Sequence, residues 1–302
     1  MNRDATPELR EHVSAPVVAG RRTRILDTGS GPVLLCSSGV ASVLWDWLPL
    51  ARLLRDRYRV VVVDRPGYAP GDPVTPELPT LEEEAARLVA VLDTLGITEP
   101  VTAVGHSFGA AVVEATARLH PGRVSGLVLL DGSVPEAEGT DHGVDAARAA
   151  RRFRRATLPV ALSRPVGLLW RALGPAVFTG SVPARRRVAA SLGCRVLSEA
   201  ASQSTMAASL RDLVGYRSCM HHLEELRATT PLPPRLPVLV VAANGRLPRR
   251  RPSAWVRHVL RQARALDREA RVTTRVVSRS GHFVMLDRPV RTAELITEAT
   301  GH

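Results

Sequence analysis

Val101-Thr102-Ala103-Val104-Gly105-His106-Ser107-Phe108-Gly109 decides how this chain is read. Val101 to Val104 is a short apolar run of strand type, and Ser107 to Leu119 carries the spacing of a helix. A serine between glycines at a strand-to-helix turn has a steric meaning. The turn is so sharp that its neighbours must be small, and Gly105 and Gly109 meet that need. Such a serine projects above the sheet at a helix N-terminus, where backbone N–H groups can stabilise a developing oxyanion.

Outward from this turn, strand-like and helix-like stretches alternate, the pattern of an α/β protein with a mostly parallel sheet flanked by helices. Before it come a strand or hairpin over Val17 to Leu26 broken near Gly20, a buried strand Val33 to Ser38, and a helix Ser42 to Arg57. Leu50, Leu53 and Leu54 have core-facing spacing in that helix. A strand Arg59 to Val63 follows, then a helix to about Leu95 with Thr80 as N-cap, acidic Glu82, Glu83 and Glu84 in its first turn, and Gly96 as its stop. After the turn come strand Val124 to Leu130 and then, from about Pro135 to Thr230, only helical stretches interrupted by prolines. Strand and helix resume with Pro237 to Ala242, Ser253 to Leu266, Arg271 to Ser278 and a last helix from Pro289. The expected organisation is a core of residues 1–134 and 231–302, with 1–12 disordered, and a helical lid insertion over 135–230.

Composition narrows the class. With 45% hydrophobic and 23% charged residues, the chain has the balance of a globular protein. No apolar run approaches the roughly 20 residues that span a bilayer, and the charged N-terminus does not resemble a secretory signal, so a cytoplasmic protein is expected. The net charge of +12 suggests nucleic acid at first. All 41 basic residues are arginine, however, which together with abundant Ala, Val and Leu points to GC-rich codon usage rather than to a polyanion partner. No nucleic-acid partner is expected. The arginines at 148, 151, 152, 154 and 155 read as a solvated helix face. Cys36, Cys194 and Cys219 fit no zinc or disulfide framework and read as reduced thiols.

A serine hydroxyl is a weak nucleophile and needs a base oriented by an acid. His282 is the best base, in the loop Ser280-Gly281-His282-Phe283 after the last strand. His106, His120, His221 and His222 read as structural or exposed.

Together, Asp64-Arg65-Pro66-Gly67-Tyr68, Val104-Gly105-His106-Ser107-Phe108-Gly109, Leu127-Val128-Leu129-Leu130-Asp131-Gly132-Ser133 and Gly281-His282-Phe283 resemble the turns, nucleophile elbow and histidine loop of the α/β-hydrolase superfamily. The resemblance covers nearly the whole chain outside the lid, and it implies an esterase-like Ser-His-acid enzyme. Two departures stand out. Most members carry the acid after the penultimate strand, where this chain reads Ala242-Ala243-Asn244-Gly245-Arg246-Leu247-Pro248-Arg249-Arg250-Arg251 without a carboxylate. Asp131, at the end of the preceding strand, is the next candidate, ahead of Asp267 and Asp287; its competing role is to cap a turn. Secondly, the usual His-Gly of the oxyanion loop is replaced by Cys36-Ser37-Ser38-Gly39-Val40-Ala41. Phe108 N–H is one expected oxyanion donor and Gly39 or Val40 supplies the second, since a backbone donor needs no particular side chain.

The expected function is hydrolysis of an ester or related small-molecule acyl compound through an acyl-enzyme. Ser107 is its nucleophile, His282 its base and Asp131 its acid, and no metal or organic cofactor is implied. A C–C-bond hydrolase or lyase on the same fold and a non-catalytic small-molecule-binding protein are the alternatives. Trp45, Trp47 and Trp170 are expected to pack, and Leu168, Leu169 and Phe178 to line an acyl pocket.

Overall fold

The computed structural model describes residues 8–133, 146–192, 194–247 and 251–301. The strands among the described residues are β1 (Val13–Ser14), β2 (Val17–Val18), β3 (Arg21–Arg22), β4 (Ile25–Thr28), β5 (Val33–Ser37), β6 (Arg59–Val63), β7 (Val101–His106), β8 (Val124–Leu130), β9 (Pro237–Ala243) and β10 (Arg271–Val277), and the longer ones are rich in β-branched and aliphatic residues. Eight make one sheet in the order β1-β4-β6-β5-β7-β8-β9-β10, and β2 and β3 form a separate hairpin. The six strands from β6 to β10 in that order run parallel, while β4 and β1 pair antiparallel at one edge.

The α-helices among the described residues are α1 (Leu48–Leu54), α2 (Leu81–Thr94), α3 (Phe108–Leu119), α4 (Ala146–Arg152), α5 (Leu158–Ala161), α6 (Arg164–Ser181), α7 (Arg185–Leu192), α8 (Cys194–Ala200), α9 (Gln203–Thr229), α10 (Ala254–Leu266), α11 (Val284–Asp287) and α12 (Pro289–Thr300). Alternation along the strands sends side chains to opposite faces, which is why both faces need helices. Leu35, Val61, Val63 and Ala103 pack with Leu88, Val112 and Val259 from α2, α3 and α10. Leu34, Val60, Val62 and Val104 pack with Leu50, Leu54, Leu295 and Ile296 from α1 and α12. Each such Val, Leu or Ile side chain, fully buried, contributes about 1.5–3 kcal/mol.

Between β8 and β9 the chain leaves the sheet for a helical insertion, in which α4 to α9 are described and no strand occurs among the described residues. Its expected start at 134/135 lies outside the described residues. No described helix is long and apolar enough to cross a membrane.

Several local expectations change. In place of one helix over Ser42 to Arg57, a 3₁₀ turn at Leu44–Trp47 precedes α1, with Pro49 in its first turn. Within α1, Leu50, Ala51 and Leu54 lie on the buried face, and Leu53 falls outside it and is exposed. Expected disorder over 1–7 lies outside the described residues; from Glu8 the chain is ordered, with Leu9 fully buried and the His12 carbonyl accepting from Asp27 N–H. β7 runs two residues beyond Val104, because His106 pairs with Leu130. Thr80 caps α2 through Glu83 N–H, as expected.

Register decides what meets at the top of the sheet. Ser37 pairs with Gly105, His106 with Leu130, and Leu130 with Val241, so β5, β7, β8 and β9 end side by side. Those are the carboxyl ends of parallel strands, where ligands and catalytic groups gather in folds of this kind.

Candidate active site

Ser107 occupies a backbone conformation that side chains rarely adopt, with φ 54° and ψ −121°. Such strain costs on the order of 1–3 kcal/mol and persists only where the surroundings over-determine it. Here they do. Ser107 N–H donates to Leu130 O at 3.2 Å, and its own carbonyl accepts from Ala110 N–H at 3.0 Å and Ser133 N–H at 2.9 Å. Gly109 must be glycine, since a Cβ there would overlap the Ser37 carbonyl oxygen.

The loop after β5 lies directly against the serine. A Cβ on Gly39 would stand 2.6 Å from Ser107 Cβ and 3.1 Å from Ser107 Oγ, so only glycine lets the backbone approach this closely. Gly39 thus lies against Ser107, and Phe108 follows the serine as the first residue of α3. Ala41 is held at φ 55° immediately beyond.

His282 follows β10 in a loop pinned by the Gly245–Ser280 bridge. Its Nδ1 lies 2.7 Å from Asp131 Oδ2. A carboxylate can only accept, so Nδ1 carries a proton, and the Nε2 lone pair of the neutral tautomer is the one that proton abstraction requires. Asp131 is 2% exposed and held on every side. Its N–H donates to Val241 O, and its Oδ1 accepts from Ala243 N–H and from the Trp255 indole N–H, both at 2.8 Å. With Oδ1 occupied by those donors, Oδ2 is directed to the histidine.

His106 is tied to the same loop. Its Nε2 lies 3.0 Å from the His282 carbonyl oxygen and therefore donates, and its ring stacks 4.7 Å from both the His282 and Phe283 rings. Burial, reinforced by the neighbouring His282, pushes its pKa well below the ordinary range, so it stays neutral.

The structure therefore brings Asp131 to His282 and Gly39 to Ser107. Asp267 instead caps the turn into β10 through Val272 N–H, and Asp287 binds Gly281 N–H. Trp45 and Trp47 pack in the core, the latter donating to Ser38 Oγ at 2.8 Å. Leu168 and Leu169 on α6 are 67% and 60% exposed. Phe178 is half-buried against the Arg185 guanidinium. Arg148, Arg151, Arg152, Arg154 and Arg155 are all exposed. A cavity of about 800 Å³ lies at the opposite ends of the strands, lined by Pro32, Gly96, Pro100 and Pro237, and shares no residue with the site.

Reading the sequence alone missed Trp255 and gave His106 no function. An ionisable residue closing an apolar strand was a usable signal for His106. No signal marked Trp255, which reaches Asp131 across 124 positions.

Residues 33–295 match the Alpha/beta hydrolase family, and the chain belongs to it. Over 113 residues it is 37% identical to a 2-hydroxy-6-oxononadienedioate/2-hydroxy-6-oxononatrienedioate hydrolase of Pseudomonas putida, which is 37% of each chain. Over 125 residues it is 31% identical to a pimeloyl-[acyl-carrier protein] methyl ester esterase of Pseudoalteromonas atlantica, 41% of this chain and 46% of that one. These matches span less than half of either relative. An epoxide hydrolase structure from Vigna radiata superposes with a TM-score of 0.67 over 96% of this chain and 99% of that one, at 20% identity, which establishes the shared fold.

Proposed function

We propose that the protein is a serine hydrolase that cleaves an ester or related acyl compound through an acyl-enzyme. Ser107 Oγ attacks the carbonyl, His282 Nε2 takes its proton and passes it to the leaving group, and Asp131 fixes the ring and balances its charge. Phe108 N–H, with the backbone of Gly39 or Val40, receives the oxyanion. Water then attacks the acyl-enzyme with His282 again as base. Residues 135–230 serve as a lid over this site.

The observation that carries this reading is the 2.7 Å approach of His282 Nδ1 to an Asp131 carboxylate whose other oxygen is already occupied. A carboxylate that merely capped a turn would not need a histidine on one oxygen and an indole on the other. The relatives' names, a methyl ester esterase and a 2-hydroxy-6-oxononadienedioate hydrolase, support the hydrolase class.

A fluorophosphonate is expected to label Ser107, and Ser107→Ala to abolish both labelling and p-nitrophenyl ester turnover. Ester turnover that survives in Ser107→Ala rules the proposal out. The match to C–C hydrolases favours a second reading on the same residues. It is selected if a broad ester panel is inert while a 2-hydroxy-6-oxodienoate is cleaved in a Ser107-dependent way.

A further inference from the structure

We infer that two residues of the insertion, Asp212 in α9 and Arg185 at the start of α7, are positioning residues that set the geometry of the oxyanion loop. This rests on the serine-hydrolase reading above. Ala41, one residue past Val40, sits at φ 55°, a conformation a side chain resists and a loop abandons unless held. Its peptide groups are held from two directions.

Ala41 N–H donates to the Tyr68 hydroxyl at 3.2 Å, and that hydroxyl donates to Asp212 Oδ2 at 2.8 Å. Burial and the adjacent Asp212 charge push the Tyr68 pKa up, so the hydroxyl keeps the proton it needs to donate. Ala41 O accepts from Arg185 Nη2 at 2.6 Å. Arg185 is in turn locked to Asp46 by Nε–Oδ1 at 2.8 Å and Nη2–Oδ2 at 2.7 Å. Asp46 Oδ2 also takes Ser42 Oγ and Val43 N–H, so the ion pair closes the loop from Ala41 to Asp46 into one unit.

Asp212 acts on the other half of the hole as well. Its Oδ2 receives Arg65 Nη1 at 2.7 Å, and the Arg65 guanidinium lies 4.3 Å from the centre of the Phe108 ring. One wholly buried carboxylate from the insertion thus reaches both expected donors, Phe108 through Arg65 and the Gly39–Val40 backbone through Tyr68 and Ala41. Fixed donors stabilise an oxyanion because they need no reorganisation when charge develops. An insertion that leaves its seat would take that preorganisation with it, even with Ser107, His282 and Asp131 in place.

The experiment is Tyr68→Phe, which deletes one hydroxyl and keeps the ring. We expect kcat to fall about tenfold, less than the 10²–10³ of a lost direct donor, with KM within twofold of wild type. Fluorophosphonate labelling should slow, and inhibition by a phenylboronate should weaken, by the same factor, because both place an oxygen in the hole. Asp212→Asn should show the same signature; if it does not fold, Tyr68→Phe decides alone. Wild-type kcat and labelling rate in Tyr68→Phe, or a rise in KM at unchanged kcat, overturns the inference. Absence of labelling in the wild type instead removes the parent reading, which keeps the two failures apart.

Discussion

On the proposed reading, two neighbouring strand ends, those of β8 and β9, have exchanged duties in this molecule. After β9, where most members of the superfamily keep the acid, the chain carries Asn244, Gly245 and Arg246, and none of them faces the histidine as a carboxylate. Asn244 Oδ1 accepts Ser253 N–H, and Arg246 pairs with Asp287. After β8, Asp131 turns at φ 43° to meet His282. The difference teaches that the histidine needs a carboxylate at a point in space rather than at a point in the chain. Adjacent parallel strands end close enough for either to supply it.

The strongest way to break this comparison is Asp131→Asn. It keeps the shape but offers His282 a donor where an acceptor is needed, and we expect kcat to fall by about 10³–10⁴ with KM little changed. Activity within tenfold of wild type would return the acid's role to some other group. Next is Trp255→Phe, which removes one of the two donors on Asp131 Oδ1. A loss of about tenfold in kcat is expected, with a stability cost of about 1–2 kcal/mol in urea unfolding from the partly unsatisfied carboxylate.

A third test reads His106 through pH. Its folded pKa is depressed, so the native state holds it neutral while the unfolded chain protonates it below its usual 6.5. The stability it confers is complete above that value and is lost as pH falls, at up to about 1.4 kcal/mol per pH unit. His106→Gln keeps an N–H for the His282 carbonyl but does not titrate; its stability from pH 6.5 to 5 should therefore fall less steeply than that of wild type. Parallel curves would show that His106 binds its proton equally in the native and unfolded states, so that burial does not depress its pKa. Smallest is Asn244→Ala, expected to cost about 1 kcal/mol through the lost Ser253 N–H bond and to leave kcat within twofold. A large activity loss there would mean that the end of β9 still takes part in the chemistry.

How much was legible beforehand followed the range of the forces involved. The elbow, the Thr80 cap and the core strands were readable because sterics and hydrophobic period act over a few residues. Asp131 came from topology, since adjacent parallel strands end together. Leu53 was misplaced because both i+3 and i+4 spacings from Leu50 fit a helix face, and the face actually buried is centred on Leu50, Ala51 and Leu54. The α6 leucines were placed inward on composition, while the fold turns them out. Trp255 on Asp131, His106 under His282, and Asp212 with Arg185 around Ala41 are contacts across 124, 176, 171 and 144 positions. Three are single hydrogen bonds, whereas Asp212 reaches Ala41 only through Tyr68. Nothing local in the chain announces such partners.

The Ala243 N–H that donates to Asp131 Oδ1 has a consequence for how this sequence can change over time. A main-chain donor survives replacement of its own side chain, so β9 continues to serve the acid without constraining which residues follow it. If Asp131 is the acid, as proposed, the segment from Asn244 onward is freed from carrying a carboxylate and can drift in sequence, and an alignment that scores the family by that position would pass over such a chain.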